Sequence, residues 1–211
     1  MRASSLQSFN NGSIARFYST GVKSDMLFSM LSLKIGWASQ VQDHPDSEKM
    51  YVSKIQVSAD AGENGTESVS KQVCSGLRNY VAANELQGQL LVIVDNMKKC
   101  KLRGQVSEAM VLCGDDSTRD VVKPCMPAVF DRRLIGKQVF LKGCDEQIEA
   151  PTRKIKTGEW QELSKRLIVN GSGEVVYHDP TTQTTTPLCV HNGQQTVSIV
   201  VDAVATGTPV R

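Results

Sequence analysis

The residues with the clearest chemical potential lie in one short run. Lys98, Lys99, Lys101 and Arg103 place four cations within six positions, between apolar runs at 90–94 and 109–113. Like charges this close repel one another, so a fold that gathers them has reason to hold an anion against them. Two readings stand: an anion-binding loop, or a solvated charged face without a ligand. Lysine ammonium groups offer point charges to phosphate-type oxygens. The planar fork of Arg103 bonds such groups through two parallel hydrogen bonds, or stacks on a flat ring. Gly104 allows the backbone to turn tightly and to approach a ligand closely.

A second cluster looks chemical at first. His44 sits between Asp43 and Asp46, an acid–base set by residue type. Pro45 and the two aspartates are also turn-forming residues, and no nucleophile or second base lies near them in sequence, so the chain reads as no enzyme. The cysteines are Cys74, Cys100, Cys113, Cys125, Cys144 and Cys189, with no C-x-x-C pair, and the three histidines are scattered. Reduced thiols, several of them buried, are the expectation, with no metal site. Phosphate-cradling glycine loops of the G-x-G-x-x-G or Walker type are lacking, so no cofactor is expected.

The chain has 211 residues, 40% hydrophobic and 22% charged, which is ordinary for a globular protein. A formal net charge of +2 means that any anion binding must come from local clustering. The 5% aromatic content leaves few stacking platforms, against a dedicated single-strand reader. No apolar run approaches the roughly 20 residues of a membrane span, so no membrane insertion is expected. The N-terminal stretch has Arg2, Arg16 and Lys23, four serines before Tyr18 and no acid until Asp25. That composition, with Arg16-Phe17-Tyr18 as a processing pattern, predicts a mitochondrial transit peptide over residues 1–20 and a matrix location.

Elements that would position the cations follow from periodicity. A short helix capped by Ser24 or Asp25 precedes an alternating strand from Leu31, with a bulge or bend expected at Gly36. The Asp43–Asp46 turn leads to a second strand at 50–59, and a Gly-rich loop to a third that ends at Gly76. A short helix closed by Gly88 comes next. Residues 90–94 form a near-continuous apolar strand, expected to be buried on both faces. The basic loop, a strand at 108–114 and weaker strands near 120–126 and 137–143 complete five to six short strands. Such a set predicts a small β-barrel over residues 25–145. After Pro151 an amphipathic helix is expected, with Trp160, Leu163 and Leu167 on one face. Short strands then make a smaller β-rich unit over 151–211.

The stretches 31–57 and 73–114 resemble the tRNA-binding OB-fold found at the C-terminus of bacterial methionyl-tRNA synthetases and in eukaryotic synthetase cofactors such as the precursor of endothelial monocyte-activating polypeptide II. The likeness rests on the His44-Pro45-Asp46 turn, on Cys74 to Tyr80, and on the N-x-K-x-x-K-x-R-G-x-x-S-x-x-M run from Asn96 to Met110. It implies a mainly β fold, a five-stranded OB barrel with a β-rich extension packed against it. The implied RNA contacts are Asn96, Lys98, Lys101, Arg103, Ser107 and Met110, with Arg78 and Asn79 beside them. Asn96 would read a base edge or clamp a ribose, and Ser107 would bond phosphate or a 2′-OH. Met110 also fits the core of its strand. A looser likeness over 150–179 implies an extension that imitates a dimer partner, hence a monomer or pseudo-dimer. The implied partners are tRNA and an aminoacyl-tRNA synthetase that supplies the catalysis. The alternative is a structural subunit of a mitochondrial assembly that keeps the fold without the RNA. Ser32 and Lys34 replace the family's usual Asp and Arg, and the C-terminal stretch from Thr184 barely follows its pattern.

Overall fold

The computed structural model describes residues 27–59, 68–144 and 151–211. The expected transit peptide, the caps at Ser24 and Asp25, and most of the Gly-rich loop lie outside the described residues. The first half of the chain forms β1 (Leu33–His44), β2 (Ser47–Gln56), β3 (Ser70–Ser75), α1 (Ala83–Leu86), β4 (Leu90–Val94), β5 (Cys100–Leu102), β6 (Gln105–Ser107) and β7 (Met110–Val111). Next come β8 (Cys113–Asp116), β9 (Val121–Pro124), β10 (Met126–Pro127) and β11 (Phe140–Leu141). The last part holds α2 (Thr157–Ser164), β12 (Leu167–Val169), β13 (Val175–Asp179), β14 (Thr184–His191) and β15 (Thr196–Val200).

The main sheet has five strands in the order β3-β2-β1-β4-β7, and neighbours run antiparallel. Among the described residues no ladder joins β7 back to β3, so the hydrogen-bonding path is open where a closed barrel was expected. The sheet nevertheless curls on itself. Glu108 N–H donates to Gln72 O at 2.9 Å, Gln72 N–H donates to the Glu108 carboxylate at 3.0 Å, and Cys74 N–H donates to Ser107 Oγ at 3.0 Å. The edge strand β3 is thereby sewn to the segment just before β7 by single bonds.

Gly36 does not bulge. β1 passes straight through it, pairing Gly36 with Leu91, and the register shifts later, between Ala38 and Gln40. The reason for glycine is proximity: a Cβ there would lie 2.4 Å from Ile55 Cγ2 inside the curl. α1 ends as expected, with Gly88 at φ 86° just past it.

β4 explains how the two halves join. All five of its side chains are buried. Leu91 and Ile93 face the interior of the curled sheet with Tyr51, Ile55 and Val73. Leu90, Val92 and Val94 face the other way, into a second core with Leu163, Tyr177, Val190 and Ile199 of the C-terminal part. A strand buried on both faces must read as an unbroken apolar run, and it does. The C-terminal strands build a second antiparallel sheet, β10-β15-β14-β13-β12, to which the earlier strand β10 adds at one edge, while β11 also pairs with β14. Phe28, ahead of β1, meets Tyr177 edge-on at 5.2 Å between ring centroids and so belongs to the same core.

The amphipathic helix is shorter than its pattern suggested. α2 stops at Ser164, and Leu167 is buried as the first residue of β12. The strand expected at 108–114 is split in two, β7 and β8, at buried Leu112. Among the described residues no helix is long and apolar enough to cross a membrane. None of the six cysteines is in a disulfide, and Cys74, Cys113, Cys125 and Cys189 are buried.

Candidate nucleic-acid interface

The basic loop is in fact a hairpin. β5 and β6 pair Cys100 with Ser107, Lys101 with Val106 and Leu102 with Gln105, around a turn at Arg103 (φ 44°) and Gly104 (φ 89°). Two successive positive φ values define the mirror-image type I′ turn, whose twist suits two antiparallel strands. Gly104 adopts it freely. Arg103 is held in the left-handed region against its preference, at a cost of about 1 kcal/mol.

The hairpin tip is fixed to the tip of the β1–β2 hairpin. Buried His44 donates from Nε2 to Leu102 O at 3.0 Å and accepts at Nδ1 from Asp46 N–H at 3.1 Å. The Arg103 guanidinium donates to Asp46 O at 3.2 Å. From the other side, Arg78 donates to Ser47 O at 3.2 Å and pairs with Asp43 Oδ2 at 2.8 Å. His44, the apparent acid–base residue, is therefore a lock between two hairpins. Sequence reasoning gave it only turn chemistry, because its partner lies 58 residues away.

The four cations are not equivalent. Lys98, Lys101 and Arg103 are exposed, and Lys98 and Lys101 carry no side-chain partner among the described residues. Lys99 is paired with Glu108 Oε1 at 2.5 Å. Its hydrogen bond, helped by one from Gln72 N–H, holds the Glu108 carboxyl below the usual carboxylate range. Lys99 is thus neutralised by an acid five residues beyond the basic run, across the hairpin. Deeper in, Asp95 takes Lys34 at 3.0 Å and Lys71 as partners. Burial alone would raise the Asp95 carboxyl, but the two lysines together bring it below its ordinary range.

Two motif residues face the protein. Asn96 is 4% exposed. Its Oδ1 accepts from Ser32 N–H at 3.0 Å, and its Nδ2 donates to Met30 O at 2.9 Å and Arg153 O at 3.1 Å. Both of its N–H donors are used, so in this geometry Asn96 organises backbone and has no donor left for a ribose. Ser107 is also buried; its Oγ accepts from Cys74 N–H and donates to Ala109 O at 3.0 Å. Met110 is half-buried and packs on the core shared with the C-terminal sheet. Asn79 is exposed beside Arg78. Together these placements leave a rim of Lys98, Lys101 and Arg103, with Asn79 exposed on the segment that braces the β1–β2 tip. Such a surface can neutralise several phosphates and places one guanidinium for bidentate contact.

Residues 33–129 match a family described as "Putative tRNA binding domain". The aminoacyl tRNA synthase complex-interacting multifunctional protein 1 of Cricetulus griseus is 29% identical over 150 residues, 71% of this chain and 38% of that protein. The tRNA-aminoacylation cofactor arc1 of Schizosaccharomyces pombe is 31% identical over 131 residues, 60% of this chain and 27% of that one. This chain therefore spans less than half the length of these curated relatives. The C-terminal domain of Plasmodium vivax p43 shares the fold, with a TM-score of 0.68 at 22% identity, over 87% of this chain and 98% of that one. Residues 33–129 of this chain are a domain of the tRNA-binding family.

Proposed function

We propose that the protein is a non-catalytic tRNA-binding cofactor that delivers or retains tRNA for an aminoacyl-tRNA synthetase or other tRNA-handling machinery. The observation that carries this reading is the β5–β6 hairpin. It holds Lys101 and Arg103 exposed, with Lys98 exposed just ahead of it, while Glu108 and Asp46 draw off only one cation and one guanidinium N–H. A charge cluster held open on a locked hairpin has strain and repulsion to offset, which a solvated loop would relax away. About three phosphate contacts give a log–log salt slope near −2 to −3 and modest affinity. Such a domain works best by raising the effective concentration of tRNA near a partner enzyme. The composition of residues 1–20 supports the mitochondrial matrix as its place of work. The covering of β4 by the C-terminal sheet supports a monomer or pseudo-dimer.

The test is a polarisation titration of bulk tRNA at two salt concentrations, with the Lys101→Ala/Arg103→Ala variant beside the unmutated chain. Saturable, salt-sensitive binding that the variant loses supports the reading. Absence of binding by the unmutated chain overturns it, and leaves the fold as a scaffold in a protein assembly.

A further inference from the structure

The segment after Pro151 reads Thr-Arg-Lys-Ile-Lys and, by sequence, is only a basic linker into α2. The structure fixes it against the base of the cation-bearing hairpin. Asn96 Nδ2 donates to Arg153 O at 3.1 Å, and Ile155 N–H donates to Asn96 O at 3.0 Å. One residue later, Lys156 N–H donates to the Glu159 carboxylate at 2.9 Å. Ile155 is 4% exposed and sits in the core shared with the C-terminal sheet. With Ile155 anchored inward, the flanking Lys154 and Lys156 are both exposed; Lys154 has no side-chain partner among the described residues, and Lys156 adds its charge to the Arg153 guanidinium in holding the Glu159 carboxyl below its usual range. Arg153 is different: its guanidinium is held by Glu159 at 2.8 and 3.1 Å.

Lys98 lies two residues beyond Asn96. Given one hydrogen-bonded backbone pair and the reach of the intervening residues, the Cα atoms of Lys98, Lys154 and Lys156 lie within roughly 16 Å of one another. That span matches a few consecutive phosphates of one RNA strand. Lys98 therefore lies within reach of two pairs of exposed cations, Lys101 and Arg103 on the hairpin and Lys154 and Lys156 on the linker.

We infer that Lys154 and Lys156 form a second arm of the tRNA surface, a phosphate-binding ledge continuous with the hairpin through Lys98. Asn96 is its positioning residue. The inference rests on the tRNA-binding reading above and assigns the C-terminal part a share in it: the RNA backbone runs from the hairpin tip across Lys98 and onto the linker. A pairing of the linker with some other anion would leave the salt dependence of tRNA binding untouched.

The experiment compares the unmutated chain, Lys154→Ala/Lys156→Ala and Lys101→Ala/Arg103→Ala in tRNA titrations over a salt series, with thermal melts of each. Both substituted linker side chains are exposed, so the melting midpoint stays within a degree or two of the unmutated value. The linker variant is expected to flatten the log–log salt slope by about 1.4 to 1.8, the contribution of two phosphate contacts. An unchanged slope in the linker variant, with a flattened slope in the hairpin variant, overturns this inference and leaves the tRNA reading standing. No binding by the unmutated chain overturns both.

Discussion

His44 Nε2 lies 3.0 Å from the carbonyl oxygen of Leu102, and this bond ties the tip of the first hairpin to the strand that carries the exposed cations. Nδ1 accepts from Asp46 N–H, which leaves Nε2 as the nitrogen that donates to Leu102 O. Removing the imidazole leaves a buried void and two orphaned backbone groups. His44→Ala is expected to lower stability in urea unfolding by about 2–3 kcal/mol. It should also weaken tRNA binding, although no cation is touched, because the hairpin loses its fixed orientation. Unchanged affinity in this variant would show that the lock has no bearing on the interface.

Arg103 separates binding from folding. Its φ of 44° is one that asparagine tolerates best among side-chain-bearing residues, so arginine is held there against local preference. Arg103→Asn is expected to keep or slightly raise stability, within about 0.5 kcal/mol, since the relieved strain offsets the lost bond to Asp46. The same change should flatten the salt slope of tRNA binding by about 0.7 to 0.9. Denaturation midpoints and titrations on one preparation measure both.

Asn96 offers the opposite signature. Asn96→Asp puts a carboxylate oxygen against the carbonyls of Met30 and Arg153 in place of two N–H donors. A loss of about 2–3 kcal/mol in unfolding free energy is expected, as for buried groups left without their partners. Hydrogen exchange should show the 153–156 backbone opening faster. A variant as stable as the parent would contradict the hub assigned to Asn96.

Much of this arrangement was legible in the sequence, for identifiable reasons. The run Leu90–Val94 announced a strand buried on both faces, and Lys98, Lys101 and Arg103 stood out because charge without a nearby acid is a local property. What escaped was long-range. Asn96 and Ser107 carry residue types that suit RNA, yet their partners at Ser32, Met30, Arg153 and Cys74 lie tens of residues away, and only the folded chain shows that they are taken. Gly36 looked like a bulge because a glycine within an alternating strand offers no local sign that Ile55 will press against it. The hairpin passed for a loop because its strands are three residues each, too short for period-two alternation to register.

Asp95 gives the stability of the fold a pH dependence. Its folded pKa lies below the unfolded value, so its contribution to stability is fully present above the ordinary aspartate pKa of about 4 and is lost as the pH falls through the folded value. Asp95→Asn should therefore be less stable than the parent at neutral pH, with a gap that closes below about pH 4. Urea midpoints from pH 7 to pH 3 measure it. A gap that stays constant across that range would mean that the pairs with Lys34 and Lys71 add nothing in the folded state.

Hydrogen–deuterium exchange with and without saturating tRNA shows whether tRNA lies across the locked hairpin. Slowed exchange is expected in residues 97–106 and in 153–156, with β13–β15 unaffected. Protection spread over the C-terminal sheet, with residues 97–106 exchanging as in the free protein, would contradict it.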